Sequence, residues 1–298
     1  MKNIIVVTGG SGFVGSNLIE NLIKHSNKKI ISIDDYSSGN KKNHIKSDRI
    51  TYINGSTQNI KSILSNKSKY IQTIFHFGEY SRIYQSFKNF TKCFRSNLEG
   101  TKEVILFCMK NNIKLIYSAT SASLGRKGKD ANLSPYAFTK SKNLELLENL
   151  KNWFNFKYEI IYFYNVYGPR QIESGENATV IGIFQRQYRK KMPLTIVKPG
   201  TQRRRFTHID DTIKICLKAW KSDKCKHYAI SNRKSYSIIE VAKMFKFKTK
   251  YIPSRRGERY ASKLTKMNLS NTVYINYGKT KLKNYVDELI SKKSIKNT

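Results

Sequence analysis

Acidic residues are scarce in this chain. Twenty Asp and Glu stand against fifty-six Lys and Arg in 298 residues, a formal charge of +36. Proline is rarer still, with five, and cysteine occurs four times. The cysteines (Cys93, Cys108, Cys216, Cys225) form no Cys-x-x-Cys pair and have no histidine at metal-ligand spacing, so no metal site is expected. They read as reduced, buried small hydrophobes. A chain of this length needs neither disulfides nor metal to fold. No apolar run reaches the roughly eighteen residues needed to span a bilayer, so no membrane partner is expected. The apolar stretch at the N-terminus is shorter than a secretory leader and runs into glycines. The expectation is a soluble, cytoplasmic protein.

The excess of Lys and Arg has two readings. It could mark a polyanion partner such as nucleic acid. It could also follow from A/T-rich codons, since Lys, Asn, Ile and Tyr are all abundant while proline is rare. The charge runs from end to end rather than along one helix, and no aromatic–basic nucleic-acid motif is present, which favours codon composition.

What the chain does have is a rhythm. β-Branched runs at Ile4–Val7, Ile30–Ile33, Ile50–Ile53, Ile71–Phe77, Ile113–Tyr117 and Tyr158–Tyr164 alternate with amphipathic stretches, among them Val14, Leu18 and Leu22 and the span Phe90–Lys110. Strand–helix alternation predicts an α/β fold, a Rossmann-type doubly wound parallel sheet. Past Tyr167 the pattern turns irregular and basic, with helices expected at Val180–Arg189, Asp211–Trp220, Ile238–Phe245 and Leu282–Ile290. The division expected is residues 1–167 as the larger domain and 168–298 as a smaller mixed α/β lobe, interleaved with the first.

The first strand runs into Thr8-Gly9-Gly10-Ser11-Gly12-Phe13-Val14-Gly15. Gly9 suits the tight turn, Gly12 the approach of backbone amides to a pyrophosphate, and Gly15 close helix–sheet packing. Asp34 follows nineteen residues after Gly15, where a carboxylate can accept from an adenosine ribose. Together they predict a bound dinucleotide, NAD rather than NADP, because a carboxylate repels a 2′-phosphate. Further on, Ser134-Pro135-Tyr136-Ala137-Phe138-Thr139-Lys140 places Tyr136 and Lys140 on one helix face. A phenol titrates near 10, and an adjacent ammonium is expected to bring it down toward use as a base. The fifth strand ends in hydroxyls, Tyr117-Ser118-Ala119-Thr120-Ser121.

With these residues the chain resembles the extended short-chain dehydrogenases/reductases, specifically the NAD-dependent nucleotide-sugar epimerase/dehydratase family of UDP-glucose 4-epimerase type. His76-Phe77-Gly78, Asn97-Leu98-Glu99-Gly100-Thr101 and Tyr164-Asn165-Val166-Tyr167-Gly168-Pro169-Arg170 fit as well. In the second lobe so do Pro199–Phe206 and Pro253–Glu258. The resemblance implies that Tyr136 is the acid/base on the sugar 4-hydroxyl, that Lys140 holds the nicotinamide ribose, and that Thr120 bonds the sugar oxygen. It implies NAD contacts from Gly9, Gly12, Phe13, Val14, Gly15, Asp34, Asp35, Ser56, Phe77, Gly78, Asn97, Tyr136 and Lys140. For the nucleotide-diphosphate sugar it implies Ser81, Arg82, Thr120, Asn165, Asn177, Arg204 and Arg255, and for the assembly a homodimer. Residues 177–209 carry eight Lys/Arg and no Asp/Glu, a setting for pyrophosphate. Within it, Arg186, Arg189, Lys190 and Lys191 read better as a solvated face.

The chain also departs from the family. Ser56 stands where an aspartate usually meets adenine, Leu124 replaces the tyrosine usual before Gly125, and the segment from Gly125 to Pro135 is short and lacks glutamate. The loop Gly78-Glu79-Tyr80-Ser81-Arg82 is charged where the family is small and apolar; Glu79 and Arg82 either touch the sugar or pair with each other. Ser121 and Ala122 follow Thr120, where 4,6-dehydratases commonly carry Asp-Glu. Without those proton-transfer groups, NAD-dependent 4-epimerisation of a UDP-hexose or UDP-N-acetylhexosamine is the leading reading. The alternatives are 4,6-dehydration, with Glu79 as the acid/base, 4-keto reduction, and a non-catalytic nucleic-acid-binding family member. Ser262, small and aligned with the far wall of the sugar pocket, would leave room for an N-acetyl group.

Overall fold

A computed structural model describes residues 2–121, 132–255 and 272–294. Ser262 and the Leu124–Gly125 position lie outside the described residues. The strands are β1 (Ile4–Thr8), β2 (Lys29–Asp34), β3 (Ile50–Asn54), β4 (Ile71–His76), β5 (Lys114–Thr120), β6 (Tyr158–Phe163), β7 (Val166–Tyr167), β8 (Leu194–Val197), β9 (Arg203–Arg205), β10 (Thr207–His208), β11 (His227–Ser231), β12 (Ser235–Ser237), β13 (Thr249–Ile252) and β14 (Thr272–Tyr277). The helices are α1 (Phe13–His25), α2 (Ile60–Leu64), α3 (Gln85–Lys88), α4 (Phe90–Phe94), α5 (Thr101–Lys110), α6 (Pro135–Phe154), α7 (Val180–Arg189), α8 (Ile209–Trp220), α9 (Ile238–Met244) and α10 (Leu282–Ser294).

Eight strands form one sheet in the order β14-β11-β6-β5-β4-β1-β2-β3, every pairing parallel. Strands such as Ile4–Thr8 and Lys114–Thr120 are buried along their whole length, as a sheet covered on both faces requires. One face packs Val6, Ile74, Leu115 and Ile160 against residues of α2, α5 and α6; the other packs Ile5, Val7, Phe75 and Ile161 against α1 and α8. Strands β1 and β4 are neighbours although β2 and β3 lie between them in the chain. Their C-terminal ends therefore flank the crevice where ligands of such sheets bind. Sequence beyond residue 168 serves two places. Strands β11 and β14 extend the large sheet, whereas α7, α9, α10 and β8 share a separate core around Phe184, Phe206 and Phe245.

Two local differences from the periodicity matter. The helical span from Phe90 to Lys110 is interrupted by a wide turn, Arg95–Gly100, with i→i+5 spacing. Asn143 Nδ2 donates to the Asn97 carbonyl in that turn at 2.6 Å. The fifth strand runs on to Thr120, which carries Ser118 and Thr120 to the crevice. Helix α6 starts as its sequence prescribes: the Ser134 hydroxyl accepts from the Ala137 amide at 3.1 Å and Pro135 occupies the first turn.

Candidate active site

A cleft of about 980 Å³ opens over the ends of β1, β4 and β5 and is closed on its far side by residues from the second half of the chain. Its first wall is the glycine turn. Gly9 holds φ +69°, and a Cβ there would lie 2.8 Å from the Phe77 carbonyl group. A Cβ on Gly15 would lie 2.2 Å from Gly9 O, so only glycine lets α1 start this close to β1. No side chain caps the N-terminus of α1. Its first amides are thus left for an anion, as the helix dipole favours. Asp34 closes this end. It is 7% exposed, its two oxygens accept from the amides of Ser11 and Tyr36, each at 2.9 Å, and burial holds its pKa above the usual carboxylate range. Gly12, Phe13, Val14, Asp35, Ser56, Phe77 and Gly78 line the same end. Turn, open helix end and buried acceptor fit a dinucleotide.

The catalytic candidates lie deeper. Tyr136 and Lys140 are on one face of α6, buried to 8% and 3% exposure, and both line the cleft with Thr120. The Thr120 side chain bonds Tyr136 and works to lower its pKa, as does the Arg82 charge. Burial and the Glu79 charge work the other way, and the phenol is pushed up to about 12. The sequence reading expects the opposite shift, with Lys140 acting on Tyr136. Burial is the main cause of the difference, and the Lys140 ammonium is itself bound to the Glu79 carboxylate and to the Ser118 carbonyl. It also lies 4.6 Å from the Tyr117 ring centroid.

Glu79 and Arg82 therefore do not pair with each other. Arg82 donates from Nε to the Asn177 carbonyl at 2.9 Å, with Nη2 on the same oxygen, and so links the loop after β4 to the segment before α7. Ser81, Arg82, Asn165, Arg204 and Arg255 line the cleft. Arg255 stands 5.6 Å over the Tyr84 ring, and Asn165 donates to the Arg205 carbonyl at 2.9 Å. Asn177 is not among the lining residues; it enters through its backbone carbonyl. Asn97 lies against α6. It is 0% exposed and away from the cleft wall, because its amide is already engaged: Nδ2 donates to Tyr80 O (3.1 Å) and Thr139 Oγ1 (3.0 Å), and Oδ1 accepts from Tyr80 N (2.7 Å). It fastens the loop after β4 to α6. Arg189, Lys190 and Lys191 are exposed, Arg189 on Glu173.

Sequence reasoning missed the surroundings of Glu79. Its carboxylate also accepts from Thr101 Oγ1 and Tyr117 OH, each at 3.0 Å, and from Asn143 Nδ2 and Ser118 Oγ, each at 3.4 Å. The only signal was a charged residue in a loop expected to be apolar. Cys93, Cys108 and Cys216 are buried, and no group of metal-binding side chains occurs among the described residues. No described helix is long and apolar enough to cross a membrane.

Comparison with known proteins agrees with this geometry. Residues 5–231 match the model of the NAD dependent epimerase/dehydratase family. A Bacillus subtilis protein described as "uncharacterized UDP-glucose epimerase YtcB" is 31% identical over 229 residues, 70% of each chain. A putative UDP-glucose 4-epimerase of Methanocaldococcus jannaschii is 28% identical over 232 residues, covering 74% of this chain and 75% of its own. In fold, the chain is similar to UDP-N-acetylglucosamine 4-epimerase from Methanobrevibacter ruminantium, solved with UDP-N-acetylmuramic acid, with a TM-score of 0.83, 24% identity and all of both chains covered. The chain belongs to the NAD dependent epimerase/dehydratase family, with NAD as its cofactor.

Proposed function

We propose that this enzyme is a nucleotide-sugar 4-epimerase acting on a UDP-hexose or UDP-N-acetylhexosamine. The observation that carries the reading is the supply of carboxylates. Among the described residues lining the cleft there are three: Asp34 and Asp35 at the end of β2, and Glu79. Glu79 is held by Lys140 and four other donors, so removal of water across C5 and C6 finds no free carboxylate pair beside Thr120 among the described residues. Among the described lining residues, Tyr136 is the proton-transfer group with Thr120 bonded to it.

NAD, when bound, supplies the hydride acceptor and returns the hydride. Gly9, Gly12 and the open end of α1 would hold its pyrophosphate, and Asp34 its adenosine ribose. Tyr136 takes the proton from the sugar 4-hydroxyl and later gives it back, while Thr120 holds the same oxygen. Arg204 and Arg255 pair with the sugar diphosphate across the cleft. The cleft would let the 4-keto sugar turn over before Tyr136 gives the proton back, so the inversion would need no net redox change.

NMR of the protein with NAD and UDP-glucose, or UDP-N-acetylglucosamine, tests the reading. A galacto-configured anomeric signal is expected. A C6 methyl signal in its place would establish dehydration and overturn it.

A further inference from the structure

We propose that Glu79 is a positioning residue for this reaction: from the loop after β4 it holds Lys140 by a direct ion pair and sets the charge balance on the Tyr136–Lys140 face of α6. The inference rests on Tyr136 acting as the base.

The geometry is that of a built site. The Glu79 side chain is 2% exposed and that of Lys140 4%. A carboxylate so buried is tolerated only when paired and hydrogen-bonded. Its donors come from three separate elements: Thr101 from α5, Tyr117 and Ser118 from β5, and Lys140 and Asn143 from α6. Lys140 has three protons, and Glu79, the Ser118 carbonyl and the Ser118 hydroxyl (3.4 Å) accept from it. The ammonium is fixed in place.

The network reaches further. Thr101 donates to Glu79, so its oxygen accepts from His76 Nε2 at 2.9 Å. The ring is neutral, its pKa held down to about 4 by burial, and its Nδ1 accepts from Thr8 Oγ1 at 2.8 Å. The Thr8 oxygen in turn accepts from the Gly78 amide at 3.0 Å. Glu79 is thus tied through hydrogen bonds to the last residue of β1, beside the glycine turn.

The electrical consequence falls on Tyr136. Near it lie the Glu79 carboxylate from the loop after β4, the Arg82 guanidinium from the same loop, the Cys93 thiol from α4 and the Thr120 hydroxyl from β5. Neutral His76 on β4, Tyr117 on β5 and Tyr80 are further titratable groups around the pair among the described residues. Glu79 opposes ionisation of Tyr136 and favours the charged form of Lys140.

The test is Glu79→Gln, similar in shape and uncharged. Both limbs of the kcat/KM profile are expected to move down by about one pH unit, with a tenfold gain in phenolate at a given pH below them. Glu79→Asp keeps the charge and is expected to keep both limbs in place, while kcat falls as the shorter side chain draws Lys140 out of position. A second readout needs no substrate: the Tyr136 Cζ signal of [13C]tyrosine-labelled holoenzyme, assigned with Tyr136→Phe and titrated with pH, has a lower midpoint in Glu79→Gln. Unmoved limbs and an unmoved midpoint, with only stability or kcat reduced, overturn the proposal. A moved midpoint in a protein that turns over no nucleotide sugar keeps the effect of Glu79 on Tyr136 and overturns the epimerase reading. Should Glu79→Gln not fold, Tyr117→Phe removes one donor, leaves the Glu79 charge less dispersed and is expected to raise the midpoint; no change there overturns the proposal as well.

Discussion

The cleft contains two buried carboxylates in contrasting settings. Asp34, at the end of β2, accepts only from backbone amides, those of Ser11 and Tyr36. Glu79, after β4, accepts only from side chains, one of them the Lys140 ammonium. Backbone donors come with the turn itself, so Asp34 is in place once β1, the glycine turn and β2 have formed. Side-chain donors must be brought together, so Glu79 is satisfied only when α5, β5 and α6 have all packed. The cofactor end is therefore built by local structure and the catalytic end by tertiary structure. A substitution at one end should leave the other working.

The largest expected effect is at the catalytic end. Tyr136→Phe removes the proposed proton-transfer group and keeps the ring, so turnover should fall about 10²–10⁴-fold. Affinity for NAD, measured by titration of the purified protein, should stay within about twofold, because the ring still fills its place against Ala137 and Cys93. An equal loss of NAD affinity would mean that the two ends are not separable.

At the cofactor end the effect is smaller and of another kind. Asp34→Ala removes the acceptor intended for the ribose, and a hydrogen bond to a charged group contributes about 1.5–3 kcal/mol. The NAD dissociation constant should rise roughly tenfold to a hundredfold, while kcat at saturating NAD changes little. A fall in kcat that saturating NAD does not restore would sink the division. The acidic side of the binding profile sharpens it. Burial raises the Asp34 pKa, so NAD affinity should begin to fall, as pH is lowered, at a higher pH than for an exposed carboxylate.

The same contrast explains what could be read from the sequence. Gly9, Gly12, Gly15 and Asp34 were legible because each works within one βαβ unit and the spacing carries the geometry. Tyr136 and Lys140 were legible because four residues on a helix are one face. Thr120 needed only the strand end. The state of Lys140 was not legible, since its partner Glu79 is 61 residues away and no periodicity links them. The setting of Asn97 was not legible either. Its position in the chain suggested the cofactor, yet the wide turn at Arg95–Gly100 places its amide between Tyr80 and Thr139. Strand β14 illustrates a third limit, because nothing in the residues 272–277 alone says that they return to the edge of the first sheet.

His76 joins the two ends, and it offers the smallest and most direct measurement. The ring is fully buried between Thr8 beside the glycine turn and Thr101 beside Glu79, and burial holds its pKa down to about 4. An unfolded histidine takes its proton near 6.5, so between 6.5 and about 4 the unfolded chain binds a proton that the folded chain refuses. The contribution of His76 is thus fully present above pH 6.5 and is lost as pH falls toward 4, at about 1.4 kcal/mol per pH unit. His227, held down to about 4 in the same way against Tyr162, adds an equal slope of its own. Urea unfolding followed from pH 7 to pH 4.5 should show a slope that is smaller in His76→Gln than in the native sequence by the share of one histidine. A slope unchanged by His76→Gln would mean that the ring already carries a proton in the folded protein. Thr8 and Thr101 would then both have to accept from it, and the hydrogen-bond chain between the glycine turn and Glu79 would run in the opposite sense on the Thr8 side.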